Sequence, residues 1–386
     1  MSTDAALHSP EARRAGAVLT IDLDAIAANW RVYADLARGS GSEAGAVVKA
    51  AAYGLDAAHA APALHIAGCE TFFVAAISEG IELRETLGAI TDANPAIHVF
   101  NGLMDGAERD FVEHGLTPVL NTLGEVDAWR AFCTGYGQAL ACDLHVDTGM
   151  ARLGLDAFEL AKIVADPARL SDLNLDVAFS HLTCAEDPDD PQNALQLAKF
   201  QQALAPLNPG RASLANSSGA FLGADYHFDL IRPGAALYGV NPTPYAPQNP
   251  MAQVVRLQGK ILQVRTIDTP QGVGYGSTHR AASGARIATI SVGYADGYPR
   301  SLSNAGDVYF GEHRASIVGR VSMDLITVDI SDVPDDLTRP GMLADLIGPL
   351  NPIDDVATKA GTIGYEILTQ LGRRYHRIYT GGGYSA

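Results

Sequence analysis

Eight short runs rich in apolar and β-branched residues recur through the first two thirds of the chain. They are AVVKA (46–50), FFVAA (72–76), AIHVF (96–100), TPVLN (117–121), CDLHVD (142–147), VAFSHL (177–182), ASLANS (212–217) and FDLIRP (228–233). Ala/Leu/Glu-rich stretches with helical spacing separate most of them. In SEGIELRETLG, for example, Ile81 and Leu83 precede Leu87 and a closing Gly88. Buried strands alternating with helices at this pitch predict a (β/α)8 (TIM) barrel of class α/β. A doubly wound sheet is the alternative, but it would more typically carry a G-x-G-x-x-G turn after its first strand, and none is present.

After Asn241 the texture changes. NPTPYAPQNPMA has the Pro/Asn-rich composition of a crossing loop, and β-rich alternations follow it: VVRLQGKILQVRTI, ARIATISVGY, DVYF and HRASIVGRVSMDLITVDI. Helical patterning returns only in IDDVATKAGTIGYEILTQLG. The expected organisation is a tail over 1–15, a barrel over 16–243 and a mostly antiparallel β domain over 244–386. The early strand VLTIDL (18–23) could pair with either domain.

Composition narrows the partners. The 386 residues carry a formal net charge of −17, which repels phosphate backbones and anionic lipid surfaces, so neither nucleic acid nor a membrane is an expected partner. No uninterrupted apolar stretch approaches the ~18 residues of a membrane span. MSTDAALHSPEARRAG lacks the apolar core of a signal peptide. Cys69, Cys133, Cys142 and Cys184 lie far apart without a C-x-x-C, which argues against zinc knuckles and a disulfide frame. A cytoplasmic enzyme without a metal is the expectation.

Barrel enzymes place reactive groups where strands end. Lys49, Asp147, His181, Asn216, Ser217, Arg232 and Gly234 fall there. Lys49 is a lone amine ending an apolar strand. It reads either as a lysine snorkelling to water or as a Schiff-base lysine, whose desolvated amine attacks a carbonyl. Ser217 and Gly234 follow strands seven and eight, where barrels often bind phosphate through hydroxyls and backbone N–H groups. Each alone is ordinary loop chemistry. With Lys49 they suggest a phosphorylated carbonyl compound, of which pyridoxal phosphate is the commonest cofactor.

AVVKAAAYG, HVDTGMARLG, FSHL, ANSSG, IRPGAALYG, VGYGST, SVGYADGYPR, GRVSMD and TIGYEIL together resemble the successive motifs of alanine racemases, in that family's order. The resemblance implies a pyridoxal-phosphate barrel, a β domain and a head-to-tail homodimer that interconverts L- and D-alanine for peptidoglycan. Lys49 matches the cofactor lysine, with Tyr53 in the same motif, and His181 matches the histidine beside the pyridine ring. Ser217, Gly234, Ala235 and Tyr365 match phosphate contacts, and Arg232 matches the arginine on the pyridine nitrogen. Arg152 and the backbone of Met323 match groups that receive the substrate carboxylate, and Tyr294 matches a tyrosine at the entrance. Tyr275 matches a second catalytic base supplied by the partner subunit. Taken singly, Tyr275 and Tyr294 read as packing residues, Met323 as core filler, His181 as a core histidine and Arg152 as a surface cation. Their joint order carries the assignment.

Other readings of the same architecture are a racemase of broader amino-acid range, an amino-acid decarboxylase, a non-catalytic carrier of pyridoxal phosphate and a Schiff-base aldolase. Departures from the family pattern include Ala51, Leu55 and Asp56 after the lysine, Leu325 after SMD, and His145 where a lysine that becomes carbamylated is common. Imidazole forms no stable carbamate. His145 is therefore expected to stay neutral and to accept a hydrogen bond from Arg152 or a bridging water, with a bound anion such as chloride replacing the missing charge.

Overall fold

The computed structural model describes residues 9–383. Of the expected tail, residues 1–8 lie outside the described residues, while Pro10–Arg14 form a helix. Ser9 caps its start, accepting from the Ala12 N–H at 3.1 Å. At its other end Lys260 Nζ donates to the carbonyls of Arg13 and Ala15 at 2.7 and 2.6 Å.

The N-terminal half contains β1 (Ala17–Asp22), β2 (Glu43–Ala44), β3 (Ala46–Val47), β4 (Thr71–Val74), β5 (Ala96–Val99), β6 (Thr117–Leu120), β7 (Ala141–His145), β8 (Asn174–Phe179), β9 (Arg211–Ser213) and β10 (Leu230–Ile231). From β3 to β9, consecutive strands pair in parallel to form one curled seven-stranded sheet. β10 lies across the gap. It pairs with β2, Val47 N–H donates to Pro233 O at 2.9 Å, and Arg232 N–H donates to Ala215 O at 2.9 Å. The curl is that of a (β/α)8 barrel, not an open doubly wound sheet.

Helices cover the sheet because their apolar stripes have nowhere else to go. In the helix Leu23–Ser40, Leu23, Ile26, Trp30, Tyr33 and Ala37 are buried, a three-and-four spacing that draws one face. Asp22 caps its start and Gly41, at φ 77°, ends it. The patterned SEGIELRETLG segment lies within the helix Ile77–Gly88, which buries Leu83 and Leu87.

The C-terminal half contains β11 (Val255–Thr266), β12 (Gln271–Val273), β13 (His279–Ala281), β14 (Arg286–Ile290), β15 (Asp307–Phe310), β16 (His313–Ile317), β17 (Ile326–Asp329), β18 (Leu343–Ile347) and β19 (His376–Thr380). Its main sheet runs β14-β17-β16-β15-β18-β11-β1-β19, and β14 pairs back onto β11. The long strand β11 serves both sides of that closure, shifting register between Ile261 and Gln263. β1 joins this sheet, antiparallel to β11 and parallel to β19, so the early strand belongs with the β domain. Sequence distance hid this, because β1 and β19 lie at opposite ends of the chain.

Between β3 and the next helix the backbone does something rare. Lys49–Tyr53 make one helical turn in which Ala50, Ala51, Ala52 and Tyr53 have φ of 52°, 50°, 54° and 55°. The turn is left-handed, which costs roughly 1–2 kcal/mol per residue for L-residues other than glycine. Contacts at its end hold it. Gly54 lies against the backbone of Leu368, where a Cβ would clash, and Arg377 bridges Gly54 O at 2.7 Å and Leu371 O at 3.1 Å. Ala51 is exposed. Asparagine tolerates this conformation better than alanine, so Ala51→Asn should stabilise the fold by about 0.5–1 kcal/mol. The expected result is a higher melting temperature than the parent, with Ala51→Val lower than both.

Candidate active site

The left-handed turn sits at the mouth of the barrel, over a cavity of about 220 Å³. Lys49, Tyr53, Arg152, His181, Ser217, Arg232, Gly234, Ala235 and Tyr365 all line it. Val47, Phe100 and Asn216 complete the lining, so among the described residues no carboxylate does. Tyr365 comes from the other half of the chain, at the start of the helix Gly364–Gln370.

Lys49 lies two residues past the end of β3, with Nζ 5.9 Å from the centre of the Phe100 ring. Burial, followed by the positive charge of Arg152, lowers its amine below the usual lysine range, and Glu79 opposes the shift. A larger fraction of nucleophilic free amine follows.

Arg232 follows β10 and is buried. It donates to Ser180 O at 2.6 Å and to Ser213 Oγ, and its guanidinium stands 4.7 Å from the Phe179 ring centre. Burial pulls it down to about 9, opposed by Asp143, so it keeps its charge at neutral pH. His181 is pushed well below the ordinary histidine range by burial first and by Arg232 next, so its ring is neutral. Gln196 anchors its backbone: Nε2 donates to His181 O at 2.9 Å while Oε1 accepts from Thr183 N–H at 2.9 Å.

At the other end of the cavity Ser217 Oγ accepts from Gly234 N–H at 2.8 Å, which leaves the hydroxyl hydrogen to be donated outward. A Cβ on Gly234 would collide with the Tyr53 hydroxyl. That glycine therefore opens a cradle between Ser217, Ala235 and the phenols of Tyr53 and Tyr365. Burial raises both phenols, Tyr365 to about 12, so each remains a hydroxyl donor. Neutral donors at one end, a guanidinium at the other and a depressed amine between them suit an anionic, phosphorylated carbonyl compound.

Tyr275, Tyr294 and Met323 are not brought into this cavity. They are 74%, 42% and 54% exposed, on the β domain. Tyr294 N–H donates to Ser322 O and Ala295 N–H to Met323 O, while Tyr275 shares a depression with Ser322 and Leu325, so the three are exposed in one region of the β domain.

Two regions of the chain match family models: residues 21–242 match the alanine racemase N-terminal domain, and residues 254–379 the alanine racemase C-terminal domain. The alanine racemase of Rhodospirillum rubrum is 51% identical over 368 residues, covering 95% of this chain and 97% of that one. The chain belongs to the alanine racemase family. A catabolic alanine racemase of Mesorhizobium japonicum is 47% identical over 95% of this chain and 94% of its own length. Among solved structures, the Bartonella henselae alanine racemase with covalently bound pyridoxal phosphate superposes with a TM-score of 0.89. It is 44% identical and covers 95% of this chain and all of that one (100%).

Within this family frame, two other strand-end side chains, one of them in the cavity lining, accept hydrogen bonds from backbone N–H groups. Asp147 accepts from the N–H groups of Gly149, Met150 and Ala151, shaping the loop that leads to exposed Arg152. Asn216 accepts from Gly219 N–H. Sequence reading missed Glu79, Phe100, Phe179 and Gln196. Glu79, three residues past FFVAA, carried the one legible signal, the acidic residue of a helix's first turn.

His145 differs in part from expectation. Its Nδ1 lies 2.9 Å from Asn121 Oδ1, and both Asn121 amide hydrogens are committed to Phe100 O and Val119 O. Nδ1 therefore carries the proton and donates it; the bond formed is with Asn121, not Arg152. The ring stacks on Phe179, and burial, then Arg232, lowers it to about 4, so it is neutral as expected. An unfolded histidine titrates near ~6.5. Below that pH the unfolded chain takes up a proton that the fold refuses. Stability is thus fully present above pH 6.5 and falls toward pH 4, by about 3 kcal/mol from this group. Ring nitrogen NMR should show a neutral Nδ1–H tautomer at pH 6, and a protonated His145 at that pH would contradict the assignment.

Proposed function

We propose that the chain interconverts L- and D-alanine with pyridoxal phosphate held through Lys49, and that its working form is a homodimer in which the partner subunit's Tyr275 serves as the second base. The observation that carries this reading is the cavity itself, in which, among the described residues, Lys49 is the one amine, lowered from the usual lysine range by burial and by the charge of Arg152. Tyr53 and Tyr365 are pushed up by burial and His181 is pushed down. Racemisation needs acid/base groups on both faces of the reacting carbon, so the second must arrive from outside the cavity.

Bound in this site, pyridoxal phosphate supplies a conjugated ring that stabilises negative charge at the substrate Cα. Lys49, Arg232 and His181 would hold its carbonyl end and ring, and Ser217, Gly234, Ala235, Tyr53 and Tyr365 its phosphate. Arg232, cationic and buried, would keep a proton off the ring nitrogen, since two positive charges cannot share that contact; this limits charge delocalisation and side reactions. Arg152 and the Met323 backbone would receive the substrate carboxylate, and Tyr294 would line the entrance. Lys49 Nζ takes or returns the Cα proton on one face and the partner's Tyr275 does so on the other.

The exposed cluster of Tyr275, Tyr294 and Met323 supports the shared site, because a second copy would cover apolar surface that one chain leaves in water. The absence of carboxylates from the cavity lining, among the described residues, disfavours a decarboxylase for cationic side chains. A single-domain carrier would have no use for β11 to β19. The free cysteines and the lack, among the described residues, of any helix long and apolar enough to cross a membrane support work in the cytoplasm, where D-alanine would feed peptidoglycan.

Purified protein with added pyridoxal phosphate should convert L-alanine to the racemate, read by chiral chromatography. Lys49→Ala and Tyr275→Phe should each lower that rate by at least about 100-fold. Mixed chains of the two variants should regain activity, because a heterodimer contains one intact site. Subunit exchange without recovery would sink the shared-site reading.

A further inference from the structure

We propose that Glu79 is a positioning residue for Lys49, its carboxylate setting the direction in which the left-handed turn delivers the amine to the cavity. The inference rests on the reading that Lys49 carries pyridoxal phosphate. Glu79 stands in the first turn of the helix Ile77–Gly88, and its two oxygens hold separate stretches of chain together. Oε1 accepts from Ala50 N–H at 2.6 Å, while Oε2 accepts from Ala75 N–H at 2.8 Å and Ala76 N–H at 3.1 Å, just past β4.

The Ala50 N–H belongs to the peptide group that follows the Lys49 Cα, so fixing that group fixes the Lys49 ψ angle. This matters because residues 50–53 have no intrinsic leaning toward their observed shape. Three alanines and a tyrosine in the left-handed region must be held there by neighbours. Gly54, Arg377 and Leu368 secure the end of the turn, and Glu79 secures its beginning. A charge-assisted bond to a backbone N–H is the strong kind of hydrogen bond, and this carboxylate makes three.

The test compares the parent with Glu79→Ala and Glu79→Gln on three readouts. These are the rate at which pyridoxal phosphate forms a borohydride-reducible adduct on apoprotein Lys49, the kcat and KM for alanine, and the melting temperature. Misdirecting the amine by about 1 Å costs up to about 100-fold in rate. Glu79→Ala should therefore lose about 10- to 100-fold in both adduct rate and kcat, assayed well below its melting temperature, with KM within about twofold. Glu79→Gln, which keeps one acceptor oxygen, should fall between the two, and it carries the test if the alanine variant does not fold. Adduct rate and kcat within twofold of the parent in the folded variants would overturn the proposal, as would a change confined to KM or to melting temperature. A parent that forms the adduct but leaves alanine unchanged would refute the functional reading while the adduct rates still decide the role of Glu79. A parent with no adduct at Lys49 would overturn both.

Discussion

Arg232 leaves water almost completely yet keeps its charge, because Ser180 O and Ser213 Oγ accept its N–H groups and the Phe179 ring faces it. Much of the site's electrostatics follows from that buried cation. It contributes to holding His145 and His181 neutral, and Arg152 adds to the same field. Lys49, under burial and the charge of Arg152, gives up its proton more readily than a surface lysine. Positive charge concentrated in a cavity that no carboxylate lines, among the described residues, is expensive to keep without an anion. A chain with a net charge of −17 thus carries a local cationic pocket for an anionic ligand.

The second constraint is mechanical. A left-handed turn of non-glycine residues does not form unaided, so the rest of the fold must impose it. The barrel does so through Glu79 on the helix after β4, and the C-terminal half does so through Leu368 and Arg377. The same C-terminal half supplies Tyr365 to the cradle and β19 to pair with β1. Neither half therefore makes the site alone.

Strand and helix periodicity placed the barrel strands within a few residues of where they lie, because buried parallel strands must be apolar throughout and short. The strand-end rule then collected Lys49, His181, Ser217, Arg232 and Gly234, all of which line the cavity. It also collected Asn216, which lines the cavity while its side chain accepts from Gly219 N–H, and Asp147, which lies outside the lining with its side chain spent on backbone N–H groups, a difference no spacing reveals. Glu79, Phe179 and Gln196 escaped because their partners are backbone atoms or rings brought close only by closing the barrel. His145 read correctly as neutral, since burial on an apolar strand dictates that. Its bond to Asn121 did not read, since Asn121 sits 24 positions away, just past the end of the neighbouring strand β6.

The sequence by itself determined the alternation of elements, the change to β structure after Asn241, the residue types at the strand ends and the family those motifs resemble. These are local properties, set by side-chain period and by chemistry within a few residues. The tertiary structure decided where β1 pairs, which strand-end groups line the cavity, the left-handed path after Lys49, and that Tyr275, Tyr294 and Met323 stand exposed outside the lining of the cavity their own chain builds. Those features depend on contacts between residues up to several hundred positions apart, such as Arg377 with Gly54, and a backbone conformation that alanine disfavours leaves no trace in local propensity.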